Sequence, residues 1–120
     1  MQILNILTRI FLSPDRMESA IAFYENLCGK KCNRRFTYSE AGLELAQVDR
    51  FLLIAGSDEK LEPFKSTQIT LFVDDIEEYL KYLKQAGAGI MSEPKVVPTG
   101  KNMRVKHPDG IIAEYVEHYQ

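Results

Sequence analysis

The chain has 120 residues and a formal net charge of −2, with 45% hydrophobic and 27% charged side chains. That describes one compact domain with enough apolar material for a core. It argues against a nucleic-acid partner, which needs a basic surface, and no apolar run reaches the ~20 residues of a membrane span. The opening MQILNILTRIFLS has neither a basic start nor a small-residue cleavage site, so it reads as a strand rather than a signal peptide, and the expected location is the cytoplasm. Cys28 and Cys32 stand alone in a C-x3-C spacing. Two thiols do not make a four-ligand zinc site, and both are expected to stay reduced.

Taken in order, the first strand is predicted over Ile3–Leu12. Ser13-Pro14-Asp15 then opens a helix, with a polar cap and a proline whose missing N–H costs nothing in the first turn. Met17, Ala20, Ile21, Tyr24, Leu27 and Cys28 follow at helical spacing, and Gly29 stops the helix. Strands are predicted over Lys31–Tyr38, Leu43–Val48 and Phe51–Ala55. The charged stretch around Pro63, residues 58–66, reads as a linker.

The pattern then restarts. Thr67–Val73 is a predicted strand, and Asp74 with Glu77 forms a capping-box-like helix start. Ile76, Tyr79, Leu80 and Leu83 form an apolar stripe, and Gly87 ends the helix. Strands follow over Gly89–Val97, Asn102–Lys106 and Ile111–Glu117, with turns at Pro98-Thr99-Gly100 and His107-Pro108-Asp109-Gly110. The restart is an internal repeat: Arg9 aligns with Gln68 at an offset of 68 − 9 = 59, and Ile54 aligns with Glu114 at 114 − 54 = 60. A half of this size cannot bury its sheet alone, so two βαβββ modules are expected, residues 1–57 and 67–120, in one α+β domain.

Strand alternation puts Arg9 and Phe11 on one face of the first strand and Gln68, Thr70 and Phe72 on the corresponding face of its repeat. The alternate residues Ile10 and Leu12, or Ile69, Leu71 and Val73, form the core side. Phe11 and Phe72 favour a ligand-lining face over a bare solvent face. His107 reads as a turn residue, His118 as solvated, and the Lys30, Lys31, Arg34, Arg35 run as a charged exposed strand.

Three pieces together resemble the vicinal oxygen chelate, or glyoxalase/bleomycin-resistance/dioxygenase, superfamily. They are Leu12-Ser13-Pro14-Asp15 through Phe23-Tyr24, Phe72-Val73-Asp74-Asp75-Ile76-Glu77, and His107-Pro108-Asp109-Gly110-Ile111-Ile112-Ala113-Glu114. The resemblance implies curved mixed sheets forming a cup, and a divalent metal held by one residue from the first and last strand of each module. Those positions here are Arg9, Ile54, Gln68 and Glu114. Only Glu114 is an ordinary ligand; Arg9 has no lone pair at neutral pH and Ile54 has none. The expectation is therefore no metal, no cofactor and no assignable catalytic residue. The ligand-contacting set would be Arg9, Phe11, Ile54, Gln68, Thr70, Phe72 and Glu114, with Arg9 meeting either Glu114 or an acidic ligand group. The implied function is a metal-free small-molecule-binding protein, with antibiotic sequestration as one form of it, a reading that leans against an enzyme. The alternative is a lyase-, isomerase- or dioxygenase-type enzyme with a degenerate metal site. A homodimer is expected, partly from the apolar run Phe51–Ile54, and neither nucleic acid nor membrane as partner.

Overall fold

A computed structural model describes residues 1–119. It contains β1 (Ile3–Leu12), α1 (Met17–Cys28), β2 (Arg34–Tyr38), β3 (Leu43–Val48), β4 (Phe51–Ala55), α2 (Asp58–Leu61), β5 (Ile69–Val73), α3 (Ile76–Gln85), β6 (Gly89–Val97), β7 (Gly100–Lys106) and β8 (Ile112–His118). The chain divides into two compact units, Leu7–Ser66 and the chain from Thr67 onward joined by Met1–Ile6. The expected class, α+β with two βαβββ modules, is the one observed.

In the first module the strand order is β2-β3-β4-β1. β1 and β4 run parallel, while β3 pairs antiparallel with both β4 and β2. Ser13 is extended, but its side chain does not cap; Pro14–Arg16 makes one 3-10 turn before α1. Gly29, at φ 66°, closes α1 and donates its N–H to the carbonyl of Glu25 at 2.9 Å, in the left-handed conformation glycine tolerates best. The helix buries Met17 and Ile21 against Ala46, Val48, Leu53 and Ala55, with Ile10, Leu12 and Tyr24 at the margin. Each fully buried side chain of this size contributes about 1.5–3 kcal/mol. Leu27, expected on the buried stripe, is 62% exposed.

The second module repeats the plan as β5-β8-β7-β6, with β5 and β8 parallel and the rest antiparallel. The cap of α3 is Asp75, not Asp74: its carboxylate accepts from the amides of Glu77 at 3.1 Å and Glu78 at 3.2 Å. Asp74 is otherwise engaged. It accepts from the Gln2 amide at 2.8 Å, and its own amide donates to the Gln2 carbonyl at 3.2 Å. This pairing ties the first six residues to the second module, so the module boundary falls inside β1 rather than at its start. α3 packs Ile76, Tyr79 and Leu83 onto Leu71, Val73, Met103, Val105, Ala113 and Tyr115.

Residues 58–66 are not a structureless linker. Ser57 accepts from the Lys60 amide at 3.2 Å and caps α2, and Glu62–Phe64 continue as a 3-10 turn that accommodates Pro63. Leu61 anchors the segment at 3% exposure. β2 begins at Arg34, three residues later than predicted, and Cys28 and Cys32 are free thiols. Among the described residues no helix is long and apolar enough to cross a membrane.

Candidate functional site

Each sheet has one face taken by its helix, so the opposite face is where function must be sought. In the first module Ile10, Leu12, Ala46, Val48, Leu53 and Ala55 belong to the α1 core. Alternation therefore sends Arg9, Phe11, Leu45, Gln47, Leu52 and Ile54 the other way. Strand register orders them in rungs. One runs Phe11–Ile54–Leu45–Phe36 across β1, β4, β3 and β2; its neighbour runs Arg9–Leu52–Gln47–Arg34. The first rung is wholly apolar, and Ile54 is 1% exposed. The guanidinium carbon of Arg9 lies 5.7 Å from the centre of the Phe11 ring, within cation–π range. Gln47 is 4% exposed, and its Nε2 donates to the Asp49 carbonyl at 3.0 Å.

In the second module Ile69, Leu71, Val73, Met103, Val105, Ala113 and Tyr115 face α3. The opposite face carries Gln68, Thr70 and Phe72 on β5, Glu114, Val116 and His118 on β8, and Asn102 and Arg104 on β7. One rung runs Thr70–Glu114–Arg104–Ser92. Thr70, 1% exposed, donates its hydroxyl to Glu114 Oε1 at 3.1 Å. Arg104 donates from Nε to the Thr67 hydroxyl at 3.2 Å, and from its backbone amide to the Ser92 hydroxyl at 3.1 Å. The sheet is irregular at Ser92, and the hydroxyl satisfies an amide that a regular ladder would have paired.

The expected residues thus gather within their modules: Arg9, Phe11 and Ile54 on one face, Thr70 and Glu114 in direct contact on the other. Gln68 is exposed and its amide oxygen accepts from the Ile112 amide at 3.2 Å. This makes it part of the β5–β8 ladder. Phe72 packs edge-on against His118, ring centres 4.4 Å apart. His118 is accordingly half-buried rather than solvated, because the last strand extends one residue further than predicted. His107 keeps its structural role: its Nε2 is 2.8 Å from the Tyr115 hydroxyl on the core side. Burial, with the nearby Tyr79 and Tyr82 adding to it, pushes the Tyr115 phenol up to about 12.

Arg104, Thr67 and Gln47 were missed by sequence reasoning. Asn102 and Arg104 alternate with the apolar Met103 and Val105, a signal visible in the sequence, but only the β7–β8 register sets Arg104 beside Glu114. The residues at the four metal positions do not fit a divalent ion. One is aliphatic and one a guanidinium, the amide oxygen is committed to backbone, and the carboxylate accepts a hydroxyl. Among the described residues no group of three or more His, Cys, Asp or Glu is placed to hold a metal ion.

A family model described as Glyoxalase/Bleomycin resistance protein/Dioxygenase superfamily matches residues 6–115. Among solved structures, an uncharacterised protein from Methanosarcina mazei is 44% identical, with a TM-score of 0.91, covering 99% of this chain and 95% of that one. A methylmalonyl-CoA epimerase from Mycobacterium tuberculosis is 17% identical, with a TM-score of 0.73 and coverage of 98% and 90%. A Streptomyces coelicolor methylmalonyl-CoA epimerase variant in complex with 2-nitronate-propionyl-CoA is 16% identical, with a TM-score of 0.69 and coverage of 99% and 100%. At these identities the two epimerases establish a shared fold alone. No curated protein matches the chain.

Proposed function

Starting from a chain that belongs to the glyoxalase/bleomycin resistance protein/dioxygenase superfamily, we propose that it binds a small organic anion without a catalytic divalent ion. The observation that carries this reading is Arg9 held over Phe11 on an apolar face. A guanidinium cannot shed its charge by deprotonation, so at any physiological pH it offers N–H donors that suit an anion. Half-buried Phe11 and Leu45 suit the apolar body of such a ligand, with Ile54, 1% exposed, between them in the register as part of the packed sheet. In the second module Phe72, Thr70 and Glu114 are the residues proposed to contact ligand, and Gln68 supports them from the ladder. An antibiotic carrying a carboxylate is one member of this ligand class. The site of action in this reading is the cytoplasm, where Cys28 and Cys32 would remain thiols.

The test is a thermal-shift screen of chelator-treated protein against carboxylates, thiol conjugates and peptide antibiotics. A ligand at 100 times its Kd stabilises by about 2.7 kcal/mol, and Arg9→Ala should remove that gain. Stabilisation that requires added transition metal contradicts the proposal.

A second reading is favoured by the Thr70–Glu114 hydrogen bond: Glu114 would take a proton from the carbon next to a carbonyl, as in an isomerase or lyase. Solvent deuterium appearing at that carbon of an acyl thioester, and lost in Glu114→Gln, would establish it.

Self-association as a homodimer is part of the proposal, with changed support. The run Phe51–Ile54 is already covered: Leu52, Leu53 and Ile54 are at most 6% exposed and Phe51 stacks on Tyr24 at 4.6 Å. Exposed Ile3, Leu4 and Ile6 supply apolar area instead. Light scattering showing a monomer at micromolar concentration contradicts it.

A further inference from the structure

Cys28 and Cys32 are both free thiols, and both are half-buried. Cys28 is the last residue of α1, and Cys32 lies two residues before β2. Stretched out, the four-residue step between them would span about 13 Å. The chain turns back instead. Gly29 takes the left-handed conformation at φ 66°, and the Lys30 amide donates to the Glu25 carbonyl at 3.3 Å, so the backbone reverses at the helix end. The Cys32 amide then donates to the Glu25 carboxylate at 2.8 Å. Glu25 stands three residues before Cys28, on the last turn of α1. Its carboxylate therefore holds Cys32 beside the turn that ends in Cys28.

The neighbouring side chains agree with this placement. Tyr24 lies one turn before Cys28 on the same face of the helix, and Tyr24 and Cys32 both pack at the margin of the α1 core. The Cys32 thiol donates to the Arg34 carbonyl at 3.3 Å, a weak bond that oxidation gives up at little cost. Gly29, Lys30 and Lys31 are exposed. A short exposed loop that opens on glycine can adjust to the Cα separation of about 4.4–6.8 Å that a disulfide takes. Among the described residues no third ligand joins the pair to hold a metal ion. Thiol–disulfide exchange is the chemistry that two such thiols can carry out by themselves.

We propose that Cys28 and Cys32 form a dithiol that a low-molecular-weight disulfide closes into an intramolecular disulfide. One protein thiolate attacks a sulfur of the small disulfide, forms a mixed disulfide and releases one small thiolate. The other protein thiolate attacks the protein sulfur of that mixed disulfide and expels the second small thiolate. The protein pair gives up two electrons and two protons, and the small disulfide becomes two thiols. Lys30 and Lys31, exposed between the cysteines, favour an anionic reagent, as glutathione disulfide is. Closure ties the end of α1 to the approach to β2, and a reducing compartment reopens it. None of these steps depends on the proposed anion binding.

The experiment incubates the full chain with glutathione disulfide, in native buffer and in urea, alkylates the remaining thiols and measures the intact mass. In native buffer wild type is expected to lose two hydrogens, take up no alkylating group, keep no glutathione and stay unlinked to other chains. Dithiothreitol should then restore both thiols. Cys28→Ser and Cys32→Ser, each lacking the second thiol, are expected to keep one glutathione. Thiols still open to alkylation, glutathione retained on wild type, or a disulfide between chains overturns the proposal. Closure that occurs only in urea overturns it too, because the folded chain would then hold the thiols apart. If a variant fails to fold, the wild-type mass decides.

Discussion

The same rung of the sheet is built from opposite materials in the two modules. In the first it reads Phe11–Ile54–Leu45–Phe36, in the second Thr70–Glu114–Arg104–Ser92. The repeat offsets connect them: Phe11 to Thr70 is 70 − 11 = 59 and Ile54 to Glu114 is 114 − 54 = 60. One backbone plan therefore supports an apolar stripe in one half and a hydrogen-bonded charged stripe in the other. The helix-facing sides do not diverge this way; both are apolar, because both must exclude water from under a helix. The lesson is that a duplicated βαβββ unit constrains its helix side through packing and leaves its other side free to differ.

Copying one rung into the other gives the largest expected effect. Ile54→Glu places in the first module the carboxylate that the second holds at the same position. Ile54 is 1% exposed and its register neighbours Phe11 and Leu45 offer no donor. The substitution should cost about 4 kcal/mol or more, or prevent folding, as for other unpaired buried charges. A chemical-denaturation midpoint near that of wild type would show that the first module's rung is not the apolar environment described.

A smaller effect is expected from Thr70→Val, which keeps the shape and removes the hydroxyl that donates to Glu114. The loss should be about 1–2 kcal/mol. The double variant with Glu114→Gln should lose less than the sum of the two single changes, because the partners share one interaction. Strict additivity would mean the contact carries no energy.

The smallest effect concerns the core side of the second module, where Tyr115 has no counterpart in the first. Its phenol is raised from 10.0 to about 12, chiefly by burial, so the folded state disfavours the phenolate. This contribution is intact below pH 10 and is lost as pH rises from about 10 through 12. Stability measured across that window should fall, and Tyr115→Phe should flatten the fall. An unchanged slope in the variant would assign the alkaline loss to other groups.

Much of this architecture was legible in the sequence because it follows from periodicity. The spacing of Met17, Ile21 and Tyr24, or of Ile76, Tyr79 and Leu83, marks a helix face, and the 59- and 60-residue offsets already pair Phe11 with Thr70 and Ile54 with Glu114. The limits at strand ends and caps were less legible. Asp74 and Asp75 are adjacent and chemically identical, and only the pairing of Gln2 with Asp74 decides which one caps α3. The neighbour of Glu114 was out of reach for a similar reason. Arg104 stands beside it through a hairpin register that local patterns do not specify. Gln47 gave no signal, since a lone amide in the strand Leu43–Val48 looks alike whether or not its oxygen has a donor.

The central claim is anion binding that depends on Arg9 and not on a metal. Isothermal titration of phenylacetate into protein treated with EDTA tests it most directly, with Arg9→Ala as the partner experiment. The account predicts binding that is unaffected by the chelator and at least about tenfold weaker in Arg9→Ala, the loss of one charge-assisted contact. Binding abolished by EDTA and restored by a divalent transition metal, with Arg9→Ala behaving as wild type, would contradict it.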